Sequence, residues 1–334
     1  MSDSLRPELS ILDLAPRRNG EDPSLPFANA VELAQTAEAS GYRGLWYAEH
    51  HNMEAIASSA TSVLMAHVAA HTKTIRVGAG GVMLSNHAPL VIAEQFGTLE
   101  AMHPGRIDLG LGRAPGTDQI TVRALRRTAD AAEHFPQDVL ELLGYLDGET
   151  RLPGVNAYPG KDSRVPVTIL GSSLFGAQLA ARFGLPFAFA SHFAPAALEA
   201  ALEVYTREFV PSERLAAPRP IVAVGVLAAQ DANEAARRFE IVGRERVRAM
   251  LGRGRPVPFT EDEVDLILDT DAGRGILDSL RFSAVGTPEH VAARLAQIGS
   301  TLGAAELITV HHAVTQDERL ESVRLTASAW DALL

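Results

Sequence analysis

Short apolar runs alternate with longer stretches in which apolar residues recur every three or four positions. The runs are LSILDL (9–14), RGLWYA (43–48), IRVGAGGVML (75–84), RIDLGLG (106–112), VPVTIL (165–170), PFAFAS (186–191), PIVAVGVLA (220–228) and ELITVHH (306–312). They are nearly unbroken in apolar residues, as in strands of a parallel sheet covered on both faces. Stretches between them, such as LPFANAVELAQTAEAS, SSATSVLMAHVAAHT and TPEHVAARLAQIGSTLG, carry helical period. Gly41, Gly184 and Gly303 stand where helices should stop. Eight strands, each followed by a helix, predict an α/β chain folded as a (β/α)8 TIM barrel, one domain over residues 1–334. An open doubly wound sheet is the rival, but no break in composition divides the repeats.

Two segments exceed the repeat, one after strand 4 and one after strand 7. Residues 117–160 hold a helix and the connection LPGVNAYPG. Residues 251–286 set a short acidic helix, EDEVDLILD, between Gly252 and Gly254 on one side and Gly273 and Gly275 on the other. Long insertions are often lids, so this one is expected either to close over the barrel mouth or to pad the outer wall.

Composition removes several classes of function. The chain has no cysteine, which excludes disulfides, thiolate metal sites, iron–sulfur clusters and cysteine nucleophiles. Thirty basic against 41 acidic residues give a net charge of -11, which speaks against a nucleic-acid or anionic-membrane partner. The opening MSDSLRPELS lacks a basic region followed by an apolar core, and no run approaches the roughly 18 apolar residues of a membrane span. A cytoplasmic protein is expected.

In such a barrel the chemistry sits at the C-terminal ends of the strands. Those ends carry Asp13, Glu49-His50-His51, Ser85-Asn86-His87, Arg113, Gly171-Ser172-Ser173, Ser191-His192, Gln230-Asp231 and His311-His312. Four of the eight ends hold histidine, out of 11 in the chain, and that bias is the informative part. His50 and His51 are adjacent, so on an extended strand they point apart and cannot readily share one ion. A metal site from His50, His192 and His311 is therefore the weakest reading, and no metal is expected.

In GSSLFGAQLAARFG, a glycine and two serines open a helix after strand 5. Free backbone N–H groups, hydroxyls and the positive helix end make a phosphate seat; an ordinary serine N-cap is the other reading. Arg113 could add the matching charge or pair with a surface carboxylate. Gly80 and Gly81 lie inside a strand, where glycine is useful if something such as a flat ring must approach the backbone. LGLGRAPG is no dinucleotide fingerprint, because its third glycine is misplaced and Pro115 opposes a helix start. No basic cluster along the chain calls for an acidic substrate.

Taken together, WYAEHHNME (46–54), VGAGGVMLSNHAPLVIAEQFGTLEAMHPGRIDLGLGRAPG (77–116) and ILGSSLFGAQLAARFGLPFAFAS (169–191) make the chain similar to a known family. It resembles the bacterial-luciferase-like flavin monooxygenases over nearly its whole length, in the single-chain alkanal-monooxygenase-like branch. The resemblance implies a barrel that binds FMN at its C-terminal face. Gly80-Gly81 falls on a non-proline cis peptide against the isoalloxazine ring, and Arg113 on the phosphate-binding arginine. Leu170, Ser172 and Ser173 fall on the segment that wraps ribityl and phosphate. Gly176 stands where luciferase has a hydroxyl residue, so any contact there is through backbone. His50 matches the catalytic base, its tautomer held by Glu49 or a backbone carbonyl. Gly112 replaces luciferase's reactive cysteine, which argues against light emission but not against flavin binding.

The implied activity is monooxygenation of a small, aldehyde-like substrate with O₂ and reduced FMN supplied by a separate reductase. The family also implies a homodimer through helices 58–72 and 88–103, with Val63, Leu64, Ala66, Val68, Leu90, Val91, Ala93, Phe96 and Leu99 as apolar surface. A deazaflavin-dependent dehydrogenase on the same barrel, or a non-catalytic flavin-binding protein indifferent to His50, are the alternatives.

Overall fold

The computed structural model describes residues 6–18, 20–128, 130–252, 255 and 257–333. In chain order the elements are β1 (Glu8–Asp13), α1 (Leu25–Ala39), β2 (Gly44–Tyr47), α2 (Thr61–Ala70), β3 (Arg76–Met83), α3 (Pro89–Met102), β4 (Ile107–Gly112), α4 (Gln119–Ala124) and α5 (Phe135–Asp147). They continue with β5 (Val167–Gly171), α6 (Leu174–Phe183), β6 (Phe187–Phe189), α7 (Leu198–Glu208), β7 (Pro220–Ala228), α8 (Ala232–Leu251), α9 (Glu261–Leu268) and α10 (Asp271–Asp278). The last are β8 (Ser283–Gly286), α11 (Pro288–Leu302), β9 (Glu306–His311) and α12 (Gln316–Asp331).

β1 to β7 pair in sequence, all parallel, and β9 closes the ring between β7 and β1. The predicted eight-stranded barrel is therefore present. Two apolar layers stabilise it. Strand residues such as Val77, Leu109 and Ile169 face outward against helix residues such as Leu33, Phe96 and Leu142. Trp46, Ala188, Ile221, Ala223 and Ile308, with Leu12 and Leu170 against them, fill the inside. Gly41, Gly184 and Gly303 take positive φ just past α1, α6 and α11, where a side chain would be strained.

The second insertion departs from expectation. Residues 283–286, assigned to it from the sequence, form β8, which pairs with Gly225–Ala228 on the edge of β7 that β6 uses lower down. Its burial alternates residue by residue, so SAVG offers no continuous apolar run to detect. The acidic helix is α9, with a capping box between Thr260 and Glu263. α9 and α10 lie on α8 through a small cluster of Val247, Val264 and Ile276. Arg244 pairs with Glu261 at 2.7 Å and Asp265 at 2.5 Å, and Arg248 also reaches Glu261. Gly254, one of the expected hinge glycines, lies outside the described residues. The first insertion holds two helices, α4 and α5, where one was expected.

Of the apolar residues expected to face a partner, Leu64, Val68, Ala93, Phe96 and Leu99 are buried against the barrel of the single chain. Val63 and Val91 stay outside, 68% and 43% exposed. Among the described residues no helix is long and apolar enough to cross a membrane.

Candidate active site at the C-terminal face of the barrel

β2 is fully buried and ends at Tyr47, so the chain leaves the barrel wall at Glu49 with its side chain still inside. Glu49 Oε1 accepts from His51 Nε2 at 2.7 Å and from His87 Nε2 at 2.8 Å, and Oε2 accepts from the Met83 amide at 3.2 Å. Burial acts to raise the Glu49 pKa, but the bonds from His87, His51 and Met83 outweigh it and hold the group below its usual range. It is a carboxylate. These three side chains present ligand atoms within 4.8 Å of one another, a spacing that a metal ion could use. The sequence did not suggest this trio; in the structure the same atoms are engaged in hydrogen bonds with each other.

His50 takes a different partner. Its Nδ1 lies 3.3 Å from the carbonyl oxygen of Gly116, which can only accept. Nδ1 therefore carries the proton and Nε2 keeps its lone pair. Burial is the main influence on the ring and lowers its pKa, against smaller opposing effects of the Gly116 bond and Glu49. The imidazole is neutral at pH 7. Gly116 has φ +63° and its missing Cβ would lie 2.9 Å from the Glu49 carbonyl, so glycine is required for this contact.

The Gly80–Gly81 peptide is cis. It coincides with a register shift in β3, where Ala79 and Val82 pair with Leu109 and Leu111 of β4. A Cβ at Gly81 would stand 2.3 Å from Leu170 Cδ1 and 2.7 Å from the Gly110 carbonyl; one at Gly80 would stand 2.9 Å from Trp46 Cβ. Only glycines fit, and Gly80 retains exposure although it lies mid-strand. Gly112 is likewise confined, since a Cβ there would meet Met83 Sδ at 2.9 Å. The space of a cysteine side chain is shared with Met83.

After β4, Arg113 lays its guanidinium 4.1 Å over the ring of Phe175, in the first turn of α6. It has no carboxylate within 4.0 Å among the described residues, so the surface-pair reading fails. Ser173 occupies the N-cap position of α6, yet its hydroxyl makes no cap hydrogen bond. The serine-cap reading fails too. Ser172 and Ser173 are exposed, while Gly176 is buried with its Cα against Phe187. The result is an open helix N-terminus, two hydroxyls and an unpaired guanidinium at one rim of the barrel.

His311 is not part of the site. It is buried, with Nδ1 2.9 Å from Ser322 Oγ and Nε2 3.3 Å from Tyr42 OH. Asp13, also buried, holds Arg319 at 2.7 Å. The sequence had no means of finding Gly116, Phe175 or the Glu49–His87 contact, each of which joins residues from separate loops.

Residues 8–306 match the family model described as luciferase-like monooxygenase. The chain belongs to the luciferase-like monooxygenase family. It is similar to the luciferase-like monooxygenase of Escherichia coli, 44% identical over 326 residues and 97% of each chain. It is also similar to N-acetyl-S-alkylcysteine monooxygenase of Bacillus subtilis, 33% identical over 88% of this chain and 89% of that one. Among solved structures, apo-MsnO8 superposes with a TM-score of 0.85 at 34% identity, covering 97% and 98% of the two chains.

Two distant neighbours, each 16% identical, share the fold. One is the oxygenating constituent of 3,6-diketocamphane monooxygenase from Pseudomonas putida in complex with FMN, at TM-score 0.72 over 96% and 97% of the chains. The other is an F420-dependent secondary alcohol dehydrogenase, at TM-score 0.68 over 98% and 99%. Membership makes this luciferase-like chain an oxidoreductase.

Proposed function

We propose that the protein is an FMN-dependent monooxygenase that takes reduced FMN from a separate reductase and acts with O₂ on a small organic substrate. The observation that carries this reading is the open anion seat. Arg113 is stacked on Phe175 with no carboxylate partner among the described residues, beside an α6 N-terminus whose cap hydroxyl is unused. A flavin monophosphate fits those donors. Reduced flavin, when bound, supplies the electrons that activate O₂.

The chain's own residues do the rest. Arg113 and the amides and hydroxyls at Ser172 and Ser173 would bind the phosphate, and Leu170 would line the path from it. Gly80 and Gly81 would leave the backbone of β3 bare for the ring, and the buried Gly176 would let α6 approach closely. His50 would accept a proton at Nε2, since Nδ1 is committed to Gly116. A homodimer through α2 and α3 belongs to the same reading, supported by the exposed Val63 and Val91; a monomer in sedimentation at micromolar concentration would remove it.

Titration of the purified chain with FMN and with F420, followed by absorbance and mass spectrometry of retained cofactor, tests the assignment. Micromolar or tighter FMN binding is expected. Binding of F420 alone would favour the dehydrogenase reading, and binding of neither would overturn both.

A further inference from the structure

Four acids are buried among the described residues: Asp13, Glu49, Asp108 and Glu306. All but Glu49 hold an arginine. Arg319 reaches Asp13 at 2.7 Å, Arg76 reaches Asp108 at 2.7 Å, and Arg219 reaches Glu306 at 3.2 Å. Among the described residues Glu49 has only His51 and His87 as basic partners, and imidazole is not a fixed cation. A buried carboxylate without a fixed counter-charge is costly to maintain.

The chain builds this trio from two strand exits. Glu49 and His51 stand two positions apart after β2, which puts both side chains on one side of an extended segment. His87 comes from the turn after β3. Glu49 Oε1 lies 2.7 Å from His51 Nε2 and 2.8 Å from His87 Nε2, and the three ligand atoms fall within 4.8 Å of one another. A tetrahedral ion about 2.1 Å from each would space them about 3.4 Å apart. The two short contacts would then open by about 0.6–0.7 Å, a small rotation for half-buried imidazoles. Neither ring has a protein partner at Nδ1 among the described residues, so each can carry its proton there and offer the Nε2 lone pair. Glu49 Oε2 stays with the Met83 amide, which orients the carboxylate and leaves Oε1 for the ion. His50 takes no part, because it faces Gly116.

We propose that Glu49, His51 and His87 bind one divalent transition-metal ion of the zinc class, with water as the fourth ligand. Two imidazole nitrogens and one carboxylate oxygen suit zinc and its neighbours, whereas magnesium and calcium take oxygen ligands. The ion gives Glu49 the counter-charge that arginine gives the other buried acids. It also joins the turn after β2 to the turn after β3, and so clamps the backbone from which His50 projects. The site needs no flavin and does not rest on the monooxygenase reading.

The full chain, stripped with EDTA, is titrated with zinc chloride and with magnesium chloride in a calorimeter. Zinc should bind with micromolar or tighter affinity at one equivalent per chain, and should raise the melting temperature. Magnesium should bind at least about tenfold more weakly. Cobalt(II) in place of zinc should give the intense visible bands of a four-coordinate ion. His87→Ala and Glu49→Gln should each weaken zinc by more than about tenfold, since even the outer partners of metal ligands are worth roughly 10–100-fold. His87→Gln keeps a hydrogen-bonding group beside Glu49 and guards against a poorly folded alanine variant; it should lose zinc equally. His67 and His71, exposed on α2 with rings 4.5 Å apart, are a pair that can also collect zinc. His67→Ala removes that competitor and should leave the tight equivalent in place. No zinc binding at about 100 µM, an affinity no better than for magnesium, or tight binding that survives in both His87 variants or is lost in His67→Ala would overturn the site. FMN enters none of these outcomes, so the ion site and the flavin reading fail independently.

Discussion

The backbone amide of Glu49 donates to the carbonyl of Gly81 at 3.1 Å. This bond ties the start of the Glu49–His51 turn to the cis peptide of β3, while the Glu49 carboxylate is held by His51, His87 and the Met83 amide. Glu49 thus fixes the backbone from which His50 projects, although the tautomer of His50 is set by Gly116. The two adjacent histidines have separate duties: one ring is free at Nε2, the other is locked to a carboxylate.

That division predicts unequal mutants. His50→Ala should lower turnover by about 10²–10⁴, the usual worth of a general base, with little change in melting temperature or FMN affinity. His51→Ala should affect turnover much less and stability more. A base works deprotonated, and burial places the His50 pKa below 6.5. The rate should therefore hold through neutral pH and fall on the acid side with a midpoint under 6.5. Interchanged phenotypes, or an acid limb above pH 7, would exclude His50 as the base.

How much of this was readable beforehand follows from distance along the chain. The strand runs and the glycines at 80 and 81 are local signals, so the barrel and the special stretch of β3 could be located from residues alone. Ser172, Ser173 and Arg113 stood out as candidates, but only the structure shows the hydroxyl of Ser173 uncapped and Arg113 on Phe175. β8 escaped notice because SAVG is short and alternates in burial.

Arg113 should separate FMN from riboflavin. Arg113→Ala is expected to weaken FMN binding by about 1.5–3 kcal/mol, the cost of losing a charge-assisted bond. Riboflavin lacks the phosphate and should be nearly unaffected, apart from the small loss of the stacking contact on Phe175. Fluorescence quenching titrations of both ligands would show it, and equal losses would take Arg113 out of the phosphate site.

Acid should destabilise the fold through its buried histidines. The His311 pKa is pushed from 6.5 down to about 3 by burial first and then by the nearby His312 and Arg319. The folded state thus binds its proton later than the unfolded chain does. The stabilisation is complete above about pH 6.5 and is lost as pH falls toward 3. His192 and His312 act in the same direction. Melting temperature should therefore decline steadily below pH 6.5, and His311→Gln, which cannot titrate there, should flatten the decline. An unchanged pH slope in that variant would place the acid sensitivity elsewhere.

Helices α9 and α10, within the 251–286 insertion, remain the candidate for a moving cover, and their attachments indicate how to test it. α9 and α10 contribute Val264 and Ile276 to a cluster with Val247 alone among the deeply buried residues of α8. Half-buried Ile267 and Leu268 pack against that cluster, and ion pairs from Arg244 and Arg248 to Glu261 and Asp265 add to the hold. Exposed ion pairs are weak and screened by salt, so this pair of helices can separate from α8 more easily than any helix packed on the barrel. The end of α10, at Gly275 and Asp278, shares a cleft with Ser172, beside the phosphate seat. A cover over that cleft would exclude water from the reacting groups. Trypsin should therefore cut early after Arg274 in the free protein, and FMN with substrate bound should slow the cut. Arg244→Ala with Arg248→Ala, or high salt on the wild type, should accelerate it. If cleavage after Arg274 is slow in the free protein, or indifferent to ligands and to both ion-pair arginines, α9 and α10 are a fixed part of the wall.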